Sequence, residues 1–123
     1  MKAIHYTRYG GPEVLQLVDV AQPTPAVHQV LIKVVAAGVN PLDDHFMRAE
    51  PWLARTEAGF LKPKDPRLGA DLAGVVVTVG EEITKFKAGD RVFGDVGPSG
   101  LGAFAEYAVG TEQELALLPD GVD

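Results

Sequence analysis

The chain has 123 residues, of which 46% are hydrophobic and 23% are charged, as expected for one globular domain with a real core. The net charge of −6 disfavours nucleic acid as a partner, and the lack of cysteine excludes disulfides, thiolate nucleophiles and cysteine-ligated metal sites. No apolar run approaches the roughly 20 residues that cross a membrane, and the first residues show no apolar signal segment. We therefore expect a cytoplasmic domain with no membrane contact.

Strand patterns dominate the sequence, and clusters of Gly, Pro and Asp separate them. In the third run, Val30, Ile32, Val34 and Ala36 share one face of a predicted strand with polar residues on the other. The predicted strands cover residues 2–8, 15–20, 29–39, 72–80, 90–96 and 103–109. Short, regularly punctuated strands favour a barrel or a sandwich over βαβ units.

The run 72–80 is apolar on both faces, so we predict that it is a central strand. Gly74 inside it indicates a bulge or a close approach of another backbone segment.

Two short helices are predicted. One covers 40–50, with Asn40 as N-cap, Pro41 in the first helical position, and Asp43 and Asp44 in the first turn. The sequence TEQE at 111–114 has the form of a capping box, which would open a second helix.

The polar cluster after the third run raises the question of a metal site. Asp43, Asp44 and His45 are consecutive, so on a helix they would spread over roughly 200° instead of sharing one face. His5 and His28 lie in other elements. We therefore predict no metal site, and the helix N-terminus by itself accounts for Asn40 and the two aspartates.

Four further features are interpreted as structural. GLGAFA at 100–105 matches G-x-G-x-x-A, but a short strand-like segment follows it in place of a helix, so we predict a loop. Ser99 lacks the setting of a nucleophile and is interpreted as a loop serine. The stretch 61–67 is interpreted as a solvated loop, with contact to an anionic ligand as the minor alternative. Trp52 fits core packing, with the wall of a ligand pocket as the alternative.

The order of these segments resembles the N-terminal domain of zinc-independent medium-chain dehydrogenase/reductases, in the quinone oxidoreductase (zeta-crystallin-like) branch. The resemblance rests on GGPEVLQL, QVLIKVVAAGVNPLDD, GADLAGVVVTVG, FKAGDRVFG and GAFAEYAV. It implies a mainly β, GroES-like fold: a partly open β-barrel over residues 1–123 with a few short helices.

The resemblance also implies a site without metal. Zinc-dependent relatives typically have a cysteine ligand at the position of Asn40 and a His–Glu pair at the positions of Ala70 and Asp71. By resemblance, Asn40, Pro41 and Asp43 bind NADPH at its nicotinamide end. His45 and Trp52 fall near positions where the family often has tyrosines lining the substrate pocket, and His45 is the candidate catalytic donor. Asp71 is expected to be a structural carboxylate.

The activity implied is hydride transfer from NADPH to a quinone or to an enone, with the cofactor supplying the chemistry. The Rossmann domain of such enzymes has no counterpart in 1–123, so we expect the isolated chain to bind NADPH weakly and to self-associate through uncovered apolar surface. Two alternatives remain: a non-enzymatic interaction module with the same fold, and a co-chaperonin.

Overall fold

The computed structural model describes residues 1–39, 47, 66–119 and 121, and strands dominate them. The chain begins with an antiparallel hairpin of β1 (Lys2–Tyr6) and β2 (Leu15–Asp19). A 3₁₀ turn at Pro12–Val14 lies between the two strands, where the sequence GGPE predicted a turn. Val14 at the end of this turn is buried and fixes it to the interior.

A five-stranded antiparallel sheet forms the rest of the described fold, in the order β6-β3-β4-β5-β7. Its strands are β3 (Gln29–Ala37), β4 (Asp71–Val79), β5 (Arg91–Asp95), β6 (Tyr107–Thr111) and β7 (Leu115–Leu117). The central position predicted for the run 72–80 is confirmed, because β4 is the middle strand.

The close approach predicted at Gly74 is also confirmed. A Cβ built on Gly74 would collide with the carbonyl oxygen of Lys33 on β3 and lie 2.7 Å from the Ile32 side chain. The pairing of β3 with β4 shifts register twice, once between Leu31 and Ile32 and once between Val34 and Ala36. The absent side chain at position 74 therefore lets the two central strands approach each other at an irregular stretch of their ladder.

The hairpin and the large sheet are joined by backbone hydrogen bonds. The Ile4 N–H donates to the Phe104 carbonyl (2.8 Å), and the Glu106 N–H donates to the Lys2 carbonyl (3.0 Å). The strands therefore curl into a half-barrel, in agreement with the partly open barrel that the resemblance implied.

The main core lies on the inner face of the large sheet. Its buried members are Val30, Ile32, Leu72, Val76, Phe86, Val92, Val96, Ala103, Ala108 and Leu115. A second cluster, made of Tyr6, Val14, Met47 and Leu68, lies beside the hairpin.

The predicted alternation in β3 holds only in part. Val30 and Ile32 are buried as predicted, but Leu31 is buried too, so the first half of β3 is covered on both faces. Ala36 was predicted on the buried face and is exposed. The register shift between Val34 and Ala36 explains this, because one extra residue in a strand moves the following side chain to the other face.

The helix predicted after Thr111 is wrong. Residues 112–114 form a tight turn, and β7 follows directly. The expected capping hydrogen bond exists, since the Thr111 N–H donates to a Glu114 carboxylate oxygen (2.8 Å), but it closes the turn between β6 and β7. Of the helix predicted at 40–50, only Met47 lies among the described residues, and its backbone is helical.

No helix in the described parts of the chain is long and apolar enough to cross a membrane.

Candidate functional site

The residues that the sequence assigns to the site, Asn40, Pro41, Asp43, His45 and Trp52, all lie outside the described residues. The structure describes what borders them. The described residues next to the stretch 40–46 are the end of β3 on one side and Met47 on the other.

The first border is the carboxyl end of β3. Ala37 lies opposite Leu72 on β4, and the Gly38 N–H donates to the carbonyl oxygen of Asp71 (3.1 Å). The residues that lead into Asn40 therefore lie directly beside Ala70 and Asp71. These are the two segments that the resemblance assigns to one site, and the structure brings their described parts together.

The second border is Met47. Its side chain is buried with Tyr6, Val14 and Leu68, and its carbonyl oxygen accepts a hydrogen bond from the Gly10 N–H (2.9 Å). Leu68 is only three residues before Asp71. The described residues on the two sides of 40–46, Gly38 and Met47, thus both contact the segment 66–71.

Residues 66–71, which we call the platform segment, are held by main-chain hydrogen bonds along their length. Its carbonyl oxygens at five positions accept from N–H groups of four other parts of the fold. The pairs are Tyr6 to Pro66 (3.0 Å), Phe104 to Leu68 (3.2 Å), Ala103 to Gly69 (3.0 Å), Val96 to Ala70 (2.8 Å) and Gly38 to Asp71 (3.1 Å). A backbone fixed in this way is a rigid support for a neighbouring site.

Gly69 lets the platform segment pack closely. Its φ of +99° is a left-handed conformation, and a Cβ there would lie 2.6 Å from the Phe104 nitrogen. Only glycine meets both conditions without strain.

The side chains of the platform segment offer little to a metal ion. The Ala70 side chain is a methyl group and is 2% exposed, and Asp71 is half-buried at the first position of β4. Among the described residues, no group of three or more His, Cys, Asp or Glu side chains could hold a metal ion.

Ser99 and GLGAFA have the structural roles that the sequence predicted. The Ser99 hydroxyl donates to the Glu114 carboxylate (2.5 Å), and the Ser99 N–H donates to the same carboxylate (2.9 Å). Residues 100–105 form no helix but a loop that leads into β6. Two of its members, Gly100 and Gly102, have left-handed backbones.

A second carboxylate anchors the loop between β4 and β5. Glu112 accepts hydrogen bonds from the N–H groups of Lys85 (2.9 Å) and Thr84 (2.6 Å). The Lys85 bond, followed by the Thr84 bond, holds the pKa of Glu112 below its ordinary value.

Sequence reasoning missed Arg67, which it placed in a solvated loop. The side chain of Arg67 lies against Gly100 and Gly102 and lines a groove. The only feature of the sequence related to the position of Arg67 is the pair of glycines at 100 and 102. These glycines contact Arg67 in space but are 33 or more residues away from it along the chain.

Comparisons with known proteins agree with this architecture. The family model of the alcohol dehydrogenase GroES-like domain matches residues 26–120. The quinone oxidoreductase of Lama guanicoe is 44% identical over 125 residues, which cover 100% of this chain and 35% of that protein. The chloroplastic NADPH-dependent alkenal/one oxidoreductase of Arabidopsis thaliana is 40% identical, over 100% of this chain and 32% of that protein.

Solved structures agree as well. The quinone oxidoreductase of Escherichia coli, complexed with NADPH, superposes with a TM-score of 0.82 at 29% identity, over 100% of this chain and 35% of that one. The chain spans about a third of the length of the relatives it matches. The family model covers most of the chain and the strand order fits it. This chain therefore belongs to the alcohol dehydrogenase GroES-like domain family.

Proposed function

We propose that this chain is the catalytic-domain part of an oxidoreductase that uses NADPH to reduce quinones or α,β-unsaturated carbonyl compounds without zinc. The observation that carries the proposal is the hydrogen bond from the Gly38 N–H to the Asp71 carbonyl. It joins the strand end before Asn40 to the platform segment, in a chain whose relatives are named quinone and alkenal/one oxidoreductases.

The residues at this strand end fit the nicotinamide end of NADPH. The Asn40 side chain has both a donor and an acceptor, which complement the carboxamide group of nicotinamide. Val39 precedes it and is 84% exposed, so it offers an apolar surface to a flat ring. Pro41 and Asp43 complete the proposed cofactor contacts, and NADPH supplies the hydride when it is bound.

The absence of zinc is proposed from the chemistry of the side chains. An amide at position 40 is a weak ligand beside cysteine thiolate or imidazole, the groups that zinc prefers. Position 70 carries a buried methyl group, which cannot bind a metal. One carboxylate at Asp71 does not make a zinc site, since such sites have at least three protein ligands.

The protein's own contribution to the reaction is to position the substrate and to stabilise the charge that develops on its oxygen. A hydride added to a conjugated carbonyl compound leaves negative charge on the oxygen, which hydrogen-bond donors stabilise. We assign this role to His45, and we assign the wall of the substrate pocket to His45 and Trp52. The names of the relatives support this enzymatic function over an interaction module of the same fold.

The experiment uses a chimera. This chain replaces the matching third of the E. coli quinone oxidoreductase, and NADPH oxidation is followed with a quinone and with an α,β-unsaturated ketone. We expect turnover with at least one of the two, unchanged by a zinc chelator. A folded chimera that binds NADPH but oxidises it with neither substrate would contradict the proposed function, and loss of activity with the chelator would contradict the zinc-free site.

A further inference from the structure

A groove of about 200 Å³ lies where the hairpin meets the large sheet, and Arg67 is the one member of the platform segment that lines it. Its walls come from β1, from the stretch that follows β2, from the loop before β6 and from Arg67. Pockets for drug-sized ligands measure roughly 300–1,000 Å³. The groove therefore suits a small ligand.

The floor of the groove is apolar and is made largely of short side chains. Ala3, Ala105 and Ala108 line it, together with Phe104 and Val109. Ala3 lies opposite Ala105 in an isolated bridge between β1 and the loop. The small side chains at this junction leave room that larger ones would fill.

The groove has a different balance of charged side chains from the whole chain. The chain has 17 acidic and 11 basic residues, yet among the described residues that line the groove there is no aspartate or glutamate. Arg67 and His5 both line it. The backbones of His5 and Arg67 form an isolated antiparallel β-bridge, which places the two residues on the same wall of the groove. The groove is thus an apolar surface with one arginine and no carboxylate side chain among its described lining residues, on an acidic protein.

The loop between β5 and β6 makes room for the guanidinium group of Arg67. A Cβ built on Gly100 would lie 2.5 Å from the Arg67 Nη2 atom, and one on Gly102 would lie 3.7 Å from its Cδ atom. The arginine side chain therefore extends along this loop, over two residues without side chains.

Leu101, between these glycines, also lines the groove and has a φ of +68°. It is the only non-glycine residue with a positive φ in the described parts of the chain. A left-handed conformation is unfavourable for leucine, because its Cβ crowds the backbone. Such strained residues cluster at binding sites, where the surrounding structure enforces them.

We propose that this groove binds a small organic carboxylate with an apolar body, with the carboxylate on Arg67 and the apolar body on the alanine floor. A guanidinium group has five N–H donors in a planar fork, so it can bind a ligand carboxylate in addition to its contacts within the protein. This binding site goes beyond the proposed reductase function, because its described residues are different from those at the end of β3.

The test is a titration of the 123-residue chain with benzoate, followed by amide NMR shifts of residues 3–5 and 101–105. Benzamide, which has the same shape without the charge, is the ligand control. We expect saturable shifts with benzoate and binding of benzamide that is at least about tenfold weaker, because a charge-assisted hydrogen bond contributes that much. No saturable shifts with benzoate, or equal binding of the two ligands, would overturn the proposal.

Variants locate the bound carboxylate. Arg67→Gln should weaken benzoate binding by about tenfold or more, whereas Arg8→Gln, which removes the same charge at an exposed residue outside the groove, should leave it unchanged. Equal effects of the two variants would mean general charge attraction and would contradict the site. The thermal melting of each variant shows whether it is folded.

Ala21→Trp is a second variant in case Arg67→Gln does not fold. Ala21 is exposed and lines the groove, so a large side chain there blocks the opening without entering the core. We expect it to abolish the benzoate shifts. Unchanged binding in a folded Ala21→Trp protein would place the carboxylate elsewhere and overturn the proposal.

Discussion

The inner face of β3 and β4 and the platform segment are stabilised in different ways. The strands bury branched aliphatic side chains such as Ile32 and Val76, and their stability comes mainly from removing apolar surface from water. The platform segment instead depends on five main-chain hydrogen bonds and on a glycine whose backbone conformation few other residues adopt. This fold therefore builds its core from side chains and supports the region of its proposed site with backbone.

The largest expected effect comes from a cavity in the core. Ile32→Ala should lower the free energy of unfolding by about 2–5 kcal/mol, because Ile32 is fully buried and its neighbours cannot fill the space. Val35→Ala, on the same strand but 73% exposed, is the matched control and should change it by less than about 0.5 kcal/mol. Urea denaturation measures both, and similar losses would show that β3 is not stabilised by its inner face.

The next effect tests the platform segment. Gly69→Ala should lower the free energy of unfolding by about 2–3 kcal/mol, because the new Cβ meets the Phe104 backbone and the φ of residue 69 is left-handed. Gly89 also has a left-handed φ (+94°), but no atom lies within 4 Å of a Cβ built there. Gly89→Ala should therefore lower the free energy of unfolding by only about 1 kcal/mol. Equal costs in denaturation would mean that close packing at Gly69 contributes nothing.

A smaller effect is expected at the turn between β6 and β7. The Glu114 carboxylate accepts from the backbone and the hydroxyl groups of both Ser99 and Thr111. Glu114→Gln should lower the free energy of unfolding by about 1–2 kcal/mol, because an amide has only one acceptor oxygen for these donors. Glu81→Gln, at an exposed position, removes the same charge and should be nearly neutral in thermal melting. A neutral Glu114→Gln would refute the role of this carboxylate.

The smallest effect depends on pH. The pKa of Glu112 is lowered in the folded state, so its contribution to stability is present above the unfolded-state pKa and is lost as the pH falls through the folded-state pKa. Glu112→Gln should therefore lower the melting temperature slightly in the neutral region, where this contribution is present, and converge with the parent protein below the ordinary range of glutamate, which flattens the acid limb of the curve. Glu81→Gln is again the control, and an unaltered acid limb in Glu112→Gln would contradict the assignment.

The sequence predicted the parts of the fold that depend on local pattern. The central place of β4 followed from its two apolar faces, and the close approach at Gly74 followed from a glycine inside a strand. The helix after Thr111 was wrong because the capping hydrogen bond of Glu114 also closes a tight turn, and local pattern does not distinguish the two. Arg67 was missed because its environment is created by Gly100 and Gly102, which are distant in the sequence.

The candidate site was predicted by resemblance more than by physical pattern. The residues around Asn40 fit an ordinary helix N-terminus, and spacing alone only disfavoured a metal. The structure adds the contact between Gly38 and Asp71, which no periodicity indicates because 33 residues separate them in the chain.

The most direct test of the central claim, that the cofactor site lies at the end of β3, is an NADPH titration of the chimera followed by nicotinamide fluorescence. The account predicts that Asn40→Ala weakens NADPH binding by about tenfold, as expected for a lost pair of hydrogen bonds. Gln16→Ala, which removes an exposed amide from β2, should leave it unchanged. Unaltered NADPH affinity and turnover in a folded Asn40→Ala chimera would contradict the claim.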